Sequence, residues 1–306
     1  MQTVVVYGNS PTTTATIAAL MHLDDGLVVT VPDDSNGALF NDLVALGGMG
    51  HNTLAKATPK VVAEADLLVF TDTLPADADA DDANALTAAN IKMVREALNG
   101  AMANGFTGTL LVATTRDELL TYFAQRFSGV ASDHVLGVGT AAHSLFTANR
   151  IAQELNVPVH NVAVDVVGTA TDYQVLWSRA AVSTVPLLSM VQNDAAKVSA
   201  EIIQTVNREL QQFAAGIGAA VTADVVARIA AVLLSTQTDI VPLTLIDGTG
   251  AGLTVVARPA VVGRQHVQVL PRVAGAQAEE EASRRLRTAS SRPFMTLNIK
   301  VTGANR

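Results

Sequence analysis

Two side chains of the sequence could together carry out acid–base chemistry on an anionic substrate. His143 and Arg150 lie seven residues apart, so a helix through this segment would place both on one face. An imidazole exchanges protons near neutral pH, and a guanidinium binds a carboxylate through two parallel hydrogen bonds. Arg116 is a further candidate for binding an anion. The alternatives are a locally hydrogen-bonded, structural His143 and a solvated loop residue at Arg116.

A second candidate group lies at the start of the chain and suggests phosphate binding. The β-branched run 3–7 reaches Gly8, after which small residues lead into an apolar helical pattern. A dinucleotide-binding unit begins in this way, but Ser10 and Thr13 stand where its G-x-G-x-x-G turn has the second and third glycines. Their hydroxyls could hold a phosphate at the helix N-terminus. Simple N-capping by Ser10 is the alternative.

Asp33 extends this candidate cofactor site. It follows the second predicted strand, where a carboxylate in such folds binds the ribose hydroxyls of the adenosine, although an acidic loop explains it equally well. The sequence therefore leaves NAD binding open. Because the chain contains no cysteine and its histidines lack the spacing of metal ligands, we expect no metal.

The elements that position these residues belong to an apolar α/β chain. Its 306 residues, 49% of them hydrophobic, suffice for one large or two medium domains. The formal net charge of −8 argues against nucleic acid and membrane surfaces as partners. No apolar run reaches the ~18 residues of a membrane span, and no signal sequence precedes the first strand. We therefore expect a cytoplasmic protein that binds a small molecule or anion.

Strand and helix patterns alternate through the first half of the sequence. The predicted strands and helices are 4–7, 12–22, 27–31, 65–70, 86–102, 108–112 and 119–127, and Val61 with Val62 suggests a further short strand. The acidic stretch 75–82 is predicted to be a loop. This alternation predicts a Rossmann-type, doubly wound parallel sheet.

The second half has a different pattern. Its β-like runs and helices are 162–167, 173–177, 195–213, 219–235, 240–246 and 253–262. The helix over 195–213 is amphipathic, whereas the one over 219–235 is apolar nearly all round and is expected to be buried. We therefore expect a dinucleotide-binding-type domain over residues 1–142 and an α/β (α+β) domain over residues 143–306, with the ligand cleft between them.

Several stretches, in this order and spacing, resemble the L-lactate/malate dehydrogenase family, including its L-2-hydroxyisocaproate branch. The first strand with Gly8 matches the start of that family. Residues 65–71 resemble its A-D-[IV]-V-V-I-T strand, and residues 135–140 its V-I-G-x-G-T segment. Further resemblances are residues 105–112, 219–229 and 258–264, so the match covers nearly the whole chain. The resemblance implies a C-terminal domain of that family's type and a homodimer or homotetramer.

The resemblance also identifies the positions at which the family carries out hydride transfer, and the residues there differ. The family's G-E-H-G motif falls on residues 168–171, so its base position holds Ala170, or Thr169 in a shifted register. His143 stands at the position of the aspartate that orients this base, and Phe146 at that of a substrate-binding arginine. Thr115 replaces the asparagine that contacts substrate and cofactor. The loop over 72–82 carries aspartates and no arginine.

The joint absence of the histidine, both arginines and the asparagine predicts a divergent family member without normal hydride-transfer activity, because losing one member of a cooperating catalytic set already removes ~10³–10⁶ in kcat. Its cofactor-binding positions, if retained, are Gly8, Ser10, Thr13, Asp33, Thr71 and Thr115. One alternative is an NAD-dependent oxidoreductase rebuilt around His143, Arg116 and Arg150. Another is a structural or regulatory partner in an oligomer, associating through the helices predicted at 195–213 and 219–235.

Overall fold

A computed structural model describes residues 2–23, 26–32, 44–45, 51–74, 82–193, 198–248, 253–264, 266–270, 279, 281–282 and 284–286. Asp33 and most of the acidic stretch 75–82 lie outside these residues. The predictions made for them are therefore not addressed by the structure.

The first half of the chain alternates strands and helices as the sequence predicts. Its strands are β1 (Thr3–Tyr7), β2 (Val28–Pro32), β3 (Thr53–Ala57), β4 (Leu67–Thr71), β5 (Thr109–Ala113) and β6 (Val135–Gly137). Its helices are α1 (Pro11–Met21), α2 (Pro59–Ala63), α3 (Ala83–Ala103), α4 (Asp117–Ser128) and α5 (Ala141–Leu155). The proposed domain boundary after residue 142 falls in the first turn of α5.

These six strands form a parallel sheet in the order β3-β2-β1-β4-β5-β6. This is the strand order of a dinucleotide-binding Rossmann fold, so the predicted doubly wound sheet is confirmed. The order reverses between β1 and β4, and a crevice opens at the carboxyl ends of these strands in folds of this kind.

The second half adds short strands, helices and a long hairpin. Its strands are β7 (Val162–Ala163), β8 (Val166–Gly168), β9 (Tyr173–Val175), β10 (Ala181–Val182), β11 (Val185–Pro186), β12 (Asp239–Asp247), β13 (Thr254–Gly263) and β14 (His266–Val269). Its helices are α6 (Leu187–Val191), α7 (Glu201–Ala214) and α8 (Ala219–Leu234). Strands β12, β13, β8 and β9 extend the main sheet beyond β6 in antiparallel fashion.

The core lies on both faces of the sheet because successive strand residues point to opposite sides. Val4 and Val6 of β1 pack with α1 and α8, and Val5 packs with α3 and α4. A third cluster joins α5 and α7 to β8 and β9. The apolar faces of α7 and α8 are thus buried within the chain.

Two predicted elements differ from the structure. Val61 and Val62 lie in helix α2 and not in a strand, because Thr58 caps the helix by accepting a hydrogen bond from the amide of Val61 and Pro59 takes the first helical position. The amphipathic helix begins at Glu201, and residues 198–200 precede it without helical structure.

No single helix among the described residues is long and apolar enough to cross a membrane. Helices α7 and α8 reach that length and hydropathy only as a pair, and their axes are bent by 99° at the break between them.

Candidate functional site

Most of the predicted cofactor-binding residues meet at the carboxyl ends of β1, β4 and β5. The Oγ1 atoms of Thr13 on α1 and Thr71 on β4 are 2.7 Å apart, and the Thr71 hydroxyl donates to the carbonyl oxygen of Tyr7 at 2.9 Å. Thr115, beyond β5, is linked to the residue after Thr71. The topology therefore places these side chains at the point where the strand order reverses.

Gly8 is packed too closely to carry a side chain. Its φ is +137°, and a Cβ atom there would overlap Thr71 Oγ1 and lie 2.7 Å from Thr13 Oγ1. The two threonine hydroxyls thus fill the space beside the glycine. The sequence position that resembled a phosphate-binding turn is occupied by a hydrogen-bonded pair of side chains.

The amides of this first turn already have acceptors within the chain. The amides of Asn9 and Ser10 each donate to the carbonyl oxygen of Asp72 at 3.2 Å, and the Ser10 amide also donates to Thr13 Oγ1 at 3.0 Å. In a dinucleotide-binding turn such amides face the pyrophosphate. Here they bind the segment that leaves β4.

Asn9 fastens the same segment through its side chain. Its Oδ1 accepts the Leu74 amide at 2.6 Å, and its Nδ2 donates to the Leu74 carbonyl oxygen at 3.1 Å. We call this reciprocal pair the Asn9–Leu74 latch. The latch and the Asp72 carbonyl together hold residues 72–74 against the first turn.

The Asp72 carboxylate is a further group in this crevice, and the sequence did not single it out. Its oxygens accept the Thr115 amide at 3.1 Å, the Thr115 hydroxyl at 2.7 Å and Asn90 Nδ2 at 2.7 Å. Helix α3 and the segment that follows β5 thus both contact the Asp72 carboxylate, which follows β4. A second anion brought into this crevice would meet that charge.

His143 lies on α5 and is fully buried, with 0% of its surface exposed. Its Nε2 is 3.1 Å from the carbonyl oxygen of Ala170, and its ring packs 4.9 Å from that of Tyr173 and 6.2 Å from that of Phe213. Burial lowers the pKa of the imidazole, only partly offset by the Ala170 carbonyl. The surroundings therefore favour the neutral imidazole.

The surroundings of His143 carry aromatic rings and tight turns. Phe146 stacks on Phe213 with ring centroids 4.4 Å apart and an interplanar angle of 12°. Thr169 closes a turn in which its amide donates to the Asp172 carbonyl oxygen at 2.8 Å. Burial raises the pKa of the Tyr173 hydroxyl. No acid–base side chain stands at position 169 or 170 of this turn.

Arg150 is bound to other residues, and it does not join His143 in one site. Its Nε donates to Glu209 on α7 at 2.6 Å, and its Nη2 donates to Glu154 at 2.9 Å and to Glu209 at 3.2 Å. Its Nη1 donates to Gln153. Four hydrogen bonds thus tie this guanidinium to side chains of α5 and α7.

Arg116 lies just before α4, and its side chain is 48% exposed. Its Nε is 3.5 Å from the carboxylate of Glu118. No contact places it with His143 or Arg150 among the residues that the structure describes. The three side chains of the predicted rebuilt site therefore lie in three separate environments.

A buried carboxyl that the sequence did not reveal lies beside this edge of the sheet. Asp117, the first residue of α4, is 2% exposed and accepts the Gly139 amide at 2.8 Å. Burial raises its pKa to about 7, with a contribution from the charge of Glu118. Within the described part of the chain, no cluster of three or more acidic or histidine side chains could hold a metal ion.

Comparison with known proteins relates this chain to lactate dehydrogenases, although no family model matches its sequence. It is 30% identical over 184 residues to L-lactate dehydrogenase 1 of Listeria innocua, an alignment that spans 58% of this chain and 59% of that protein. It is 28% identical over 266 residues to L-lactate dehydrogenase 1 of Enterococcus faecalis, spanning 83% of this chain and 79% of that protein.

Solved structures show the same relationship in the fold. The minor L-lactate dehydrogenase of Enterococcus mundtii superposes with a TM-score of 0.82 at 19% identity, covering 93% of this chain and 95% of that one. A lactate dehydrogenase from a Medee basin deep-sea metagenome library gives 0.81 at 19% identity and covers 98% of each chain. The chain is thus similar in sequence to L-lactate dehydrogenases, and its described residues share their Rossmann-type fold.

Proposed function

We propose that this protein is a divergent member of the L-lactate/malate dehydrogenase family that does not carry out hydride transfer on 2-hydroxy acids. The observation that carries the proposal is the contact between His143 and Ala170. A general base has to come within hydrogen-bond reach of the proton that it removes. His143 is fully enclosed and faces a backbone carbonyl, and the resemblance places the family's own base at the alanine that supplies this carbonyl.

The residues available for binding a substrate carboxylate support the same proposal. Phe146 stands at one arginine position of the family and stacks on Phe213. Arg150 is saturated by two glutamates and a glutamine. The acidic stretch of the sequence, with Asp77, Asp79, Asp81 and Asp82, repels an anionic substrate where the resemblance places a mobile, arginine-bearing loop.

The crevice between β1 and β4 does not fit the pyrophosphate of NAD. The Asn9 and Ser10 amides donate to Asp72, and the latch holds residues 72–74 beside them. The Asp72 carboxylate adds a negative charge. We therefore propose that the nucleotide-binding half serves as a scaffold, and that the protein has a binding or regulatory role.

A homodimer or homotetramer remains our expectation for the assembly. Association through the apolar faces of α7 and α8 is not supported, because these faces are buried within the chain. Sedimentation equilibrium at micromolar concentration tests the expectation, and a monomer would contradict it.

The decisive experiment is a calorimetric titration of the protein with NADH and NADPH, followed by turnover assays with pyruvate, oxaloacetate and a branched 2-oxo acid. L-lactate dehydrogenase 1 of Enterococcus faecalis serves as the positive control. We expect no binding at cofactor concentrations up to about 1 mM, which means a binding free energy weaker than about −4 kcal/mol. NAD(H)-dependent turnover in the usual enzyme range of about 1–10³ s⁻¹ would overturn the proposal.

One observation favours the alternative of a rebuilt oxidoreductase. His143 Nδ1 is buried and has no hydrogen-bond partner among the described residues, so this ring nitrogen is not committed to another group of the described chain. If turnover is found, His143→Ala distinguishes the two explanations. Full activity in that variant would exclude His143 as the replacement base.

A further inference from the structure

The Asp117 carboxyl lies at a junction between the parallel strands and the antiparallel extension of the sheet. Its Oδ2 accepts the amide of Gly139, in the segment that leaves β6, at 2.8 Å. Gly139 has a φ of +59°, and a Cβ atom there would lie 2.7 Å from the Thr244 amide and 2.8 Å from the Pro242 carbonyl oxygen. This segment is therefore pressed between α4 and β12.

Two buried hydroxyls surround the same carboxyl. A Cβ atom at Gly137 would overlap Asp117 Oδ2 and lie 2.7 Å from Thr121 Oγ1 and 2.8 Å from Thr244 Cβ. Thr121 and Thr244 are both 0% exposed, and the Thr244 hydroxyl stabilises the ionised form of the Asp117 carboxyl, which partly lowers its pKa. We call Asp117, Thr121, Thr244 and the Gly139 amide the junction cluster.

The cluster joins the two parts of the sheet at a narrow connection. Gly137 and Thr244 form the one residue pairing between β6 and β12, and β12 and β13 then continue the sheet. Helix α4 packs against β6, β12 and β13. A change in the charge of Asp117 therefore acts where these four elements meet.

The charged groups around the cluster leave Asp117 without a cation. On its own helix the neighbouring charge is Glu118, which is paired with Arg116. On β13, Arg258 is paired with Asp247 of β12 at 2.9 Å. On α3, Lys92 is paired with Glu96, and Arg95 lies over Phe127 near the far end of α4. Burial and the charge of Glu118 thus raise the pKa of Asp117, and hydrogen bonds from the Thr244 hydroxyl and from the amides of Gly139 and Glu118 lower it only in part.

We propose that Asp117 is a proton-sensitive clamp on this junction. The neutral carboxyl packs between α4, the β6 exit and β12. When the carboxyl loses its proton, a buried negative charge without a cation draws water into the cluster and loosens the contact between the two parts of the sheet. The clamp does not depend on whether the cleft binds a cofactor.

Carbon-13 carboxyl NMR on the intact protein tests this proposal directly. We expect the Asp117 carboxyl to titrate with a midpoint near 7, and the amide proton of Gly139 to shift with the same midpoint. A carboxyl midpoint below about 5, one unit above the ordinary aspartate value, would overturn the proposal, as would a Gly139 amide that does not follow the titration.

A pair of variants supplies the second measurement. The wild-type free energy of unfolding, measured in urea, should decline as pH rises from about 4 to 7, because the folded protein holds the Asp117 proton more tightly than the unfolded chain does. Asp117→Asn keeps the shape of the side chain and cannot ionise, so this decline should be absent in the variant. Asp133→Asn, at an exposed position before β6, is the matched control and should keep the decline. Equal pH dependence in all three proteins would contradict the clamp.

Discussion

The imidazole of His143 faces the carbonyl oxygen of Ala170 at 3.1 Å. The resemblance to the family places the orienting aspartate at the first of these positions and the catalytic histidine at the second. On that resemblance, one side chain and one backbone group stand where the family has a pair of side chains. The contact that remains holds α5 to the turn after β8, and its consequences for stability are measurable.

Replacing His143 by alanine should destabilise the protein by about 2–4 kcal/mol, because it empties a fully buried site between Tyr173 and Phe213. Urea unfolding measures the change. His160→Ala, at an exposed position, is the control and should cost less than about 0.5 kcal/mol. An equally small cost at His143 would show that this site is not packed as described.

His143 also makes stability depend on pH. Burial lowers its pKa in the folded protein below the ~6.5 of an unfolded chain, so the unfolded chain binds more protons as the pH falls. Stability from this group is therefore lost on acidification below about pH 6.5. Asp117 changes stability with pH in the opposite direction over part of that range. The contribution of His143 is therefore measured as the difference in unfolding free energy between the wild-type protein and the His143→Phe variant. A difference that does not change between about pH 7 and 5 would contradict it.

Gly8→Ala should destabilise the protein by more than about 2 kcal/mol. The new Cβ atom would overlap Thr71 Oγ1, and the backbone φ of +137° is one that residues with a side chain rarely adopt. Gly216→Ala is the matched control, since nothing lies within 4 Å of the added atom there. Thermal and urea unfolding of both variants should separate the two positions, and equal effects would argue against the packing of Gly8.

Asn9→Ala should release the segment that follows β4. The variant loses both hydrogen bonds of the Asn9–Leu74 latch, so the Leu74 amide should exchange about tenfold faster, which corresponds to about 1.4 kcal/mol. Hydrogen-exchange NMR provides the measurement. Asn104→Ala removes a side-chain bond to Gly100 within one helix end and should leave Leu74 unchanged. Unaltered Leu74 exchange in Asn9→Ala would rule out the latch.

Arg150 and Glu209 should behave as a coupled pair between α5 and α7. In a double-mutant cycle with Arg150→Ala and Glu209→Gln, the combined loss of stability should be smaller than the sum of the two single losses. The exposed pair Lys60 and Glu64, 3.9 Å apart, is the comparison and should show weaker coupling. Additive effects at Arg150 and Glu209 would return the arginine to the candidates for anion binding.

The strands and helices of the first half follow from local patterns in the sequence. The run 65–71 is buried on both faces of a parallel sheet, so its hydrophobicity is continuous. The sequence predicts a strand at Val61 and Val62 because both side chains are β-branched, but Thr58 and Pro59 start a helix there. The helix-start signal of these two residues is itself visible in the sequence.

The candidate site was less accessible to sequence reasoning because its contacts join distant parts of the chain. The sequence identifies Thr13 and Thr71 as candidates, but their hydrogen bond spans 58 residues. In the sequence Asp72 is only one acid of a loop, because its partners Asn90 and Thr115 lie 18 and 43 residues away. Asp117 gave no local signal, since its burial depends on Gly137 and on β12.

Part of the apolar face of helix α1 packs against helix α8, which lies far along the sequence. Ile17 of α1 and Val226 of α8 share one hydrophobic cluster, and 209 residues separate them in the sequence. During synthesis the opening strand and helix therefore emerge from the ribosome long before α8 exists. Because contacts between residues so far apart in the sequence are slow to form, we expect the contact between α1 and α8 to form late in folding.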